Sequence, residues 1–250
     1  IAPHDDLTVE GMIRKADSAM YHAKETGRGK YAFSSEGIER RNYEWLEMQF
    51  KLKEALMKEE FLLYLQPQIA CRDGRNIITG AEGLIRWKRE GQLVPPDVFI
   101  PASEENGLIL PIGNWVIQEI FRLDRLLKEN GIQLELAFNV SVKQFENADL
   151  IQLLREMMQE HSSQDIRLTV EITESMFINN LEAAIRYLDE IRELGIRIAL
   201  DDFGTGYSSL SILTKLPVDI LKIDKSFIDS LDDCKHRNLT DTIISMAKIF

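Results

Sequence analysis

Apolar runs that each end in an acidic, amide or lysine side chain recur along this chain, and helix-like stretches separate the later ones. The endings are Glu82 in AEGLIRW, Asn139 in LAFNVS, Glu171 and Glu174 in LTVEITES, Asp201 and Asp202 in IALDDFGTGYSSL, and Lys222 and Asp224 in ILKID. In a barrel of parallel strands the carboxyl ends of the strands share one mouth, so side chains far apart in sequence meet there. Carboxylates gathered in this way point to metal ions as their counter-charge.

The rest of the chain supports an α/β reading. From residue 61 onward, strands are expected at 61–69, 77–87, 134–140, 168–172, 196–200 and 220–223. Helices are expected at 115–128, 150–160, 181–194 and 208–214, with a last one starting near Arg237. Asp73-Gly74 is a turn signal, so the first two strands are expected to pair antiparallel. The others alternate with helices, which implies a mostly parallel sheet covered on both faces. The fold class expected is a TIM-like (β/α) barrel with an antiparallel first strand. A closed barrel needs about eight strands, and six are countable, so two strand–helix units are expected beyond Phe250. An open six-stranded sheet is the alternative. Ahead of residue 61, 7–26 reads as an amphipathic helix with Gly27 at its end. GRGKYAF reads as a short strand, and 38–58 as a charged linker helix.

At 250 residues, with 44% apolar content, the chain is long enough for a real core. A net charge of −11 argues against a nucleic-acid polymer as partner, since that needs a basic face. Cys71 and Cys234 form no spacing pattern, which suits free thiols in a reducing compartment. No apolar stretch reaches the ~18 residues that span a bilayer, and no signal peptide is visible. A cytoplasmic location is expected, with any membrane or sensor segment lying upstream. The chain opens without Met and stops inside a helical pattern, so it reads as a fragment.

Glu82, Asn139, Glu171, Asp201 and Asp202 offer oxygen donors only, which suits Mg²⁺ or Mn²⁺. Two successive carboxylates, Asp201 and Asp202, are placed to reach two ions or bridge them. Lys222 has two readings. It orients or deprotonates a nucleophilic water, or it forms a buried ion pair with Asp224 or Glu171. Arg86, four residues after Glu82, shares its face of the strand. It either grips a phosphate or pairs with a barrel carboxylate. Gly204 and Gly206 mark a tight loop whose spacing alone is weak evidence.

Taken together, LYLQPQI, AEGLIRW, FIPASEENGLI, FNVS, VEITES, DDFGTGYSSL and LKIDKSFI resemble the EAL domain, the bacterial phosphodiesterase of cyclic-di-GMP. The resemblance runs from about Glu60 to Phe250. Residues 1–35, with ADSAMYHAKETGRGKY, resemble the end of a GGDEF diguanylate cyclase domain. The domain plan expected is therefore 1–35 cyclase remnant, 36–58 linker helix and 59–250 EAL domain. The resemblance implies hydrolysis of cyclic-di-GMP to linear pGpG with two Mg²⁺ or Mn²⁺ ions. It implies Glu82, Asn139, Glu171 and Asp201 as metal ligands, Asp202 at the second metal, and Lys222 at the attacking water. Arg86 matches a phosphate-binding arginine and Gln66 a residue near the ligand. Glu174 matches the glutamate that steadies the DDFGTG loop, and Asp224 an acidic neighbour. It further implies a homodimer through that loop, and upstream GGDEF and sensor domains. The chain departs from the family in Glu82-Gly83-Leu84, where glycine replaces alanine. The family's remaining metal-ligand glutamate and a later glutamine fall beyond Phe250. A non-catalytic cyclic-di-GMP receptor is the alternative function.

Overall fold

The computed structural model describes residues 8–25, 29–72, 74–161, 166–177, 180–204 and 210–248. In chain order the elements begin with helices α1 (Val9–Glu25) and α2 (Glu36–Met57), then strands β1 (Phe61–Arg72), β2 (Arg75–Arg89) and β3 (Gln92–Val94). Helices α3 (Pro96–Glu105) and α4 (Ile109–Glu129), strand β4 (Glu135–Asn139) and helices α5 (Val142–Phe145) and α6 (Asp149–Glu160) follow. Next come β5 (Leu168–Thr173), a 3₁₀ turn (Glu174–Phe177), α7 (Leu181–Glu193) and β6 (Arg197–Phe203). The chain continues through α8 (Leu210–Leu213), β7 (Ile220–Ile223), α9 (Lys225–Asp229) and α10 (Cys234–Ala247). It forms two compact units: Ile1–Glu60 with Trp87–Leu108, and Phe61–Arg86 with Ile109–Phe250.

The first unit holds α1, α2, β3 and α3. Ser35 caps α2 by accepting the Ile38 N–H, and Leu52 and Ala55 are buried. The C-terminal end of β2 pairs antiparallel with β3, Trp87 opposite Val94. The Trp87 indole lies edge-on to Phe99 and donates a 2.9 Å hydrogen bond to Glu60. The strand expected in GRGKYAF does not form: residues 29–35 carry no strand, and Tyr31 and Phe33 are exposed. A strand is completed by a neighbour's hydrogen bonds, and this segment has no sheet beside it among the described residues. Gly27 lies outside the described residues.

The second unit carries the sheet. Its order is β1-β2-β4-β5-β6-β7. Strands β2, β4, β5, β6 and β7 run parallel to one another. A two-residue connection is too short for a parallel crossover, so β1 and β2 form a hairpin. The ladder runs from β1 to β7 without closing, giving a curled half-barrel and not a complete one. Six strands fall short of the roughly eight that closure requires.

Packing follows from periodicity. In α4 the buried residues Ile109, Ile112, Gly113, Val116, Ile117, Ile120, Phe121 and Asp124 form one stripe at helical spacing. It meets a core that includes Phe138, Val170, Ile198, Leu200 and Leu188. Five of the six β5 residues are buried, as in a central parallel strand covered on both faces. The helix expected at 115–128 starts six residues earlier, at Ile109. Pro111 falls in its first turn, where no N–H is needed by the helix. The short elements β3, α3, α5 and α9 carry too few periods to be seen in the sequence. Of the helix expected at 208–214, residues 208–209 lie outside the described residues.

Candidate functional site

The parallel register aligns the carboxyl ends of the strands. Gly83 pairs with Phe138, Asn139 with Glu171, and Thr173 with Asp201. The functional candidates at these ends therefore converge, although up to 140 residues separate them. Lys222 enters from β7 and gathers three acids. Its Nζ lies 3.2 Å from Glu82 Oε2 and 3.1 Å from Asp201 Oδ2, and donates a short hydrogen bond to Glu171. Asn139 Nδ2 donates to the other Glu82 oxygen at 2.8 Å. Of the two readings of Lys222 as an ion-pair partner, Glu171 is realised, joined by Glu82 and Asp201.

Glu171 is the most deeply held acid, its side chain 1% exposed. Burial pushes its pKa up to about 7, against the opposing pull of Lys222, and the charges of Glu82 and Asp201 push the same way. Burial acts to lower Lys222, but the hydrogen bond to Glu171 and the three nearby carboxylates outweigh it and hold the ammonium protonated. The second Glu171 oxygen, Oε1, is buried without a hydrogen-bond partner.

The Asp201-Asp202 step is irregular. The β6–β7 register shifts between Leu200 and Phe203, and Asp202 has a φ of +52°. A bulge breaks the alternation that would send successive side chains to opposite faces. Asp201 turns to Lys222, and its Oδ1 accepts the Asp202 N–H at 3.0 Å. Asp202 shares a hydrogen bond with Asp224, and its pKa is raised by burial and then by the charges of Asp201 and Asp224. Asp224 also caps α9, accepting the Ser226 N–H at 2.9 Å, and the bonds from Ser226 hold its own pKa down. Glu174 Oε1 accepts the Gly204 N–H at 3.3 Å. Residues 205–209, the rest of the DDFGTG loop including Gly206, lie outside the described residues.

Gln68 Oε1 lies 2.9 Å from where a Gly80 Cβ would stand. The two positions therefore share a sheet face. By strand alternation Tyr64 and Gln66 of β1 lie on the face of Glu82 and Arg86 of β2. Gln66 is exposed there. The Arg86 guanidinium lies 5.7 Å from the Tyr64 ring centroid and donates to the Ile85 carbonyl at 2.9 Å. Among the described residues Arg86 forms no ion pair, so the carboxylate-partner reading is not realised. Tyr64 was not singled out from the sequence. Its signal was the period-two alternation of LYLQPQI, which puts it on the same face as Gln66. The hydroxyls of Thr173 and Ser175, 2.8 Å apart at the end of β5, were not singled out from the sequence either.

The oxygen-only donor set and the orphaned, buried Glu171 Oε1 fit a hard divalent cation. Among the described residues no three Asp, Glu, His or Cys side chains are arranged to hold a metal ion, and the acids close on Lys222 instead.

The sequence of residues 50–250 matches the family model of the EAL domain. The chain belongs to the EAL domain family. It is 42% identical over 249 residues to the signalling protein YkoW of Bacillus subtilis, covering 99% of this chain and 31% of that protein. It is 37% identical over 250 residues to the cyclic di-GMP phosphodiesterase PdeR of Escherichia coli, covering 99% of this chain and 37% of the relative. The chain thus spans about a third of the length of these curated relatives. Among solved structures it is similar to the MucR phosphodiesterase in complex with c-di-GMP, at 34% identity and a TM-score of 0.76, covering 81% of this chain and 83% of that one. The EAL enzyme Bd1971, bound to cAMP and cyclic-di-GMP, matches at 27% identity and a TM-score of 0.77, covering 96% of this chain and 64% of that one. No helix among the described residues is long and apolar enough to cross a membrane.

Proposed function

We propose that this EAL domain is the hydrolytic part of a cyclic-di-GMP phosphodiesterase that yields linear pGpG. The observation that carries the reading is the convergence of Glu82, Glu171 and Asp201 from three strand ends on Lys222. Relatives named as cyclic di-GMP phosphodiesterases support the substrate class.

Glu82, Asn139, Glu171 and Asp201 would hold one Mg²⁺ or Mn²⁺ ion, and Asp202 would reach a second. When bound, the ions supply Lewis acidity and lower the pKa of water at the site. Lys222, protonated at Nζ, orients the attacking water and offsets charge that develops on phosphate. Arg86 presents its free N–H donors to a phosphate oxygen. Water oxygen bonds to phosphorus, the ribose 3′ oxygen leaves and takes a proton, and the ring opens to a linear dinucleotide with a 5′-phosphate. Glu174 holds the start of the DDFGTG loop through Gly204 N–H. Residues 1–35 as a cyclase remnant, 36–58 as a linker and pairing of two copies through that loop belong to the same proposal.

The alternative is a cyclic-di-GMP receptor without turnover. Incubation of cyclic-di-GMP with Mg²⁺ or Mn²⁺, followed by chromatography, separates the two. Metal-dependent pGpG supports the enzyme. Binding without product assigns the receptor, and neither binding nor product rejects both.

A further inference from the structure

We infer that Tyr64 is a positioning residue, an aromatic shelf that presents the Arg86 guanidinium to an anionic ligand; this rests on the cyclic-di-GMP reading above. At the mouth, Glu82, Glu171 and Asp201 are the natural partners for a second cation, and Lys222 has taken all three. Arg86, on the same strand face as Glu82, stays out of that cluster. One donor is spent on its neighbour's carbonyl, and the guanidinium rests near the Tyr64 ring, 5.7 Å from the centroid. Of its five N–H donors the others remain for a ligand among the described residues.

The geometry makes physical sense of the choice. The face of a tyrosine ring attracts a guanidinium through its quadrupole within about 6 Å. The ring face has no acceptor that competes for the in-plane N–H donors, whereas a carboxylate would consume two of them. A ring therefore fixes the direction of the arginine and leaves its hydrogen-bonding edge available. Tyr64 is 47% exposed, so its place on β1 is not explained by core packing. Tyr64 acts only through Arg86, which is assigned to gripping a phosphate oxygen, so its expected role is in ligand affinity and not in the chemical step.

The test is a double-mutant cycle on the whole chain, with cyclic-di-GMP as probe in metal-free buffer to block turnover, and with melting temperature recorded for each protein. Tyr64→Ala is expected to weaken binding about 2- to 5-fold, the range of an exposed cation–π contact. Tyr64→Phe keeps the ring and is expected to bind like wild type. In an Arg86→Ala background, Tyr64→Ala should add no further loss, because the two act through one contact. In steady state with Mn²⁺, Tyr64→Ala should raise KM and leave kcat unchanged. Equal losses in both backgrounds, or a Phe variant as weak as the Ala variant, would overturn the inference while leaving the substrate reading intact. A wild-type chain that does not bind cyclic-di-GMP at all removes that reading, and this inference with it.

Discussion

Lys222 Nζ lies 3.2 Å from Glu82 Oε2 and ties together the ends of β7 and β2, 140 residues apart in sequence. The same ammonium holds Glu171 and Asp201, so one positive charge faces three acids and offsets part of their repulsion. Replacing Lys222 with Met removes that compensation. The metal-free protein is expected to lose about 2 kcal/mol or more of stability, because a partly buried acid cluster is left unpaired. Hydrolysis is expected to fall by at least about 100-fold. Denaturant melts and pGpG assays check the two effects separately.

The pH dependence of that variant has a definite sign. Glu171 is already pushed up to about 7 by burial, and removal of Lys222 pushes it further up. A carboxyl whose folded pKa lies above its unfolded value contributes stability at low pH and loses it as pH rises through the folded pKa. The destabilisation of Lys222→Met, measured without metal, is therefore expected to be smaller at pH 6 than at pH 8. An equal deficit at both pH values would contradict the account of Glu171.

Gly113 packs against Gln144. A Cβ at Gly113 would lie 1.8 Å from Gln144 Nε2, and Gln144 is buried and forms the capping box of α5 with Ser141. Gly113→Ala forces either the α4 backbone or the cap to move, at a cost of about 1–3 kcal/mol by the usual scale of overpacking. Urea denaturation with unchanged m-value is the measurement.

Gly83, the departure from the family's tripeptide, is filled by its neighbours. A Cβ there would lie 2.7 Å from Ile120 Cδ1 and 3.1 Å from Leu63 Cδ2, both ends of flexible side chains. Gly83→Ala is expected to cost about 1 kcal/mol, and Ile120→Val, which removes the nearer methyl, is expected to restore most of it. Since the Glu82 side chain points to the opposite face, kcat should hold in both variants.

Tyr187 stacks edge-on with Phe145 and donates its hydroxyl proton to the Asn147 carbonyl. Burial pushes its pKa up to about 12, with smaller contributions from Glu190 and Asp149. Its stabilisation is complete below the ordinary tyrosine value near 10 and is lost as pH rises towards 12. Tyr187→Phe is expected to be less stable than wild type at pH 8 by about 1 kcal/mol. The gap should narrow at pH 11, a trend that equilibrium unfolding at both pH values would show.

Long periodic elements were legible from spacing alone. The stripe of α4 and the apolar runs of β4 to β6 each repeat apolar residues at a regular spacing, and local propensity and burial agree there. The elements β3, α3, α5 and α9 were not legible, because they carry too few periods and are stabilised by what they pack on. GRGKYAF shows the converse: it has the composition of a strand, but a strand exists only where another backbone supplies its hydrogen bonds.

At the site, the order of acids at strand ends is a property of the sequence, since alternation and hydrophobic runs fix where each strand stops. Which acid meets which cation is not. That Lys222 takes Glu82, Glu171 and Asp201, that a register shift at Asp202 breaks the alternation between two neighbouring aspartates, and that Arg86 rests by Tyr64 all depend on strand register and side-chain packing. The chain by itself determined an α/β sheet with its chemistry at one end. Only the tertiary structure decided the pairing, because electrostatic partners are chosen by distance across the fold, and distances between strands tens of residues apart are set when the sheet assembles.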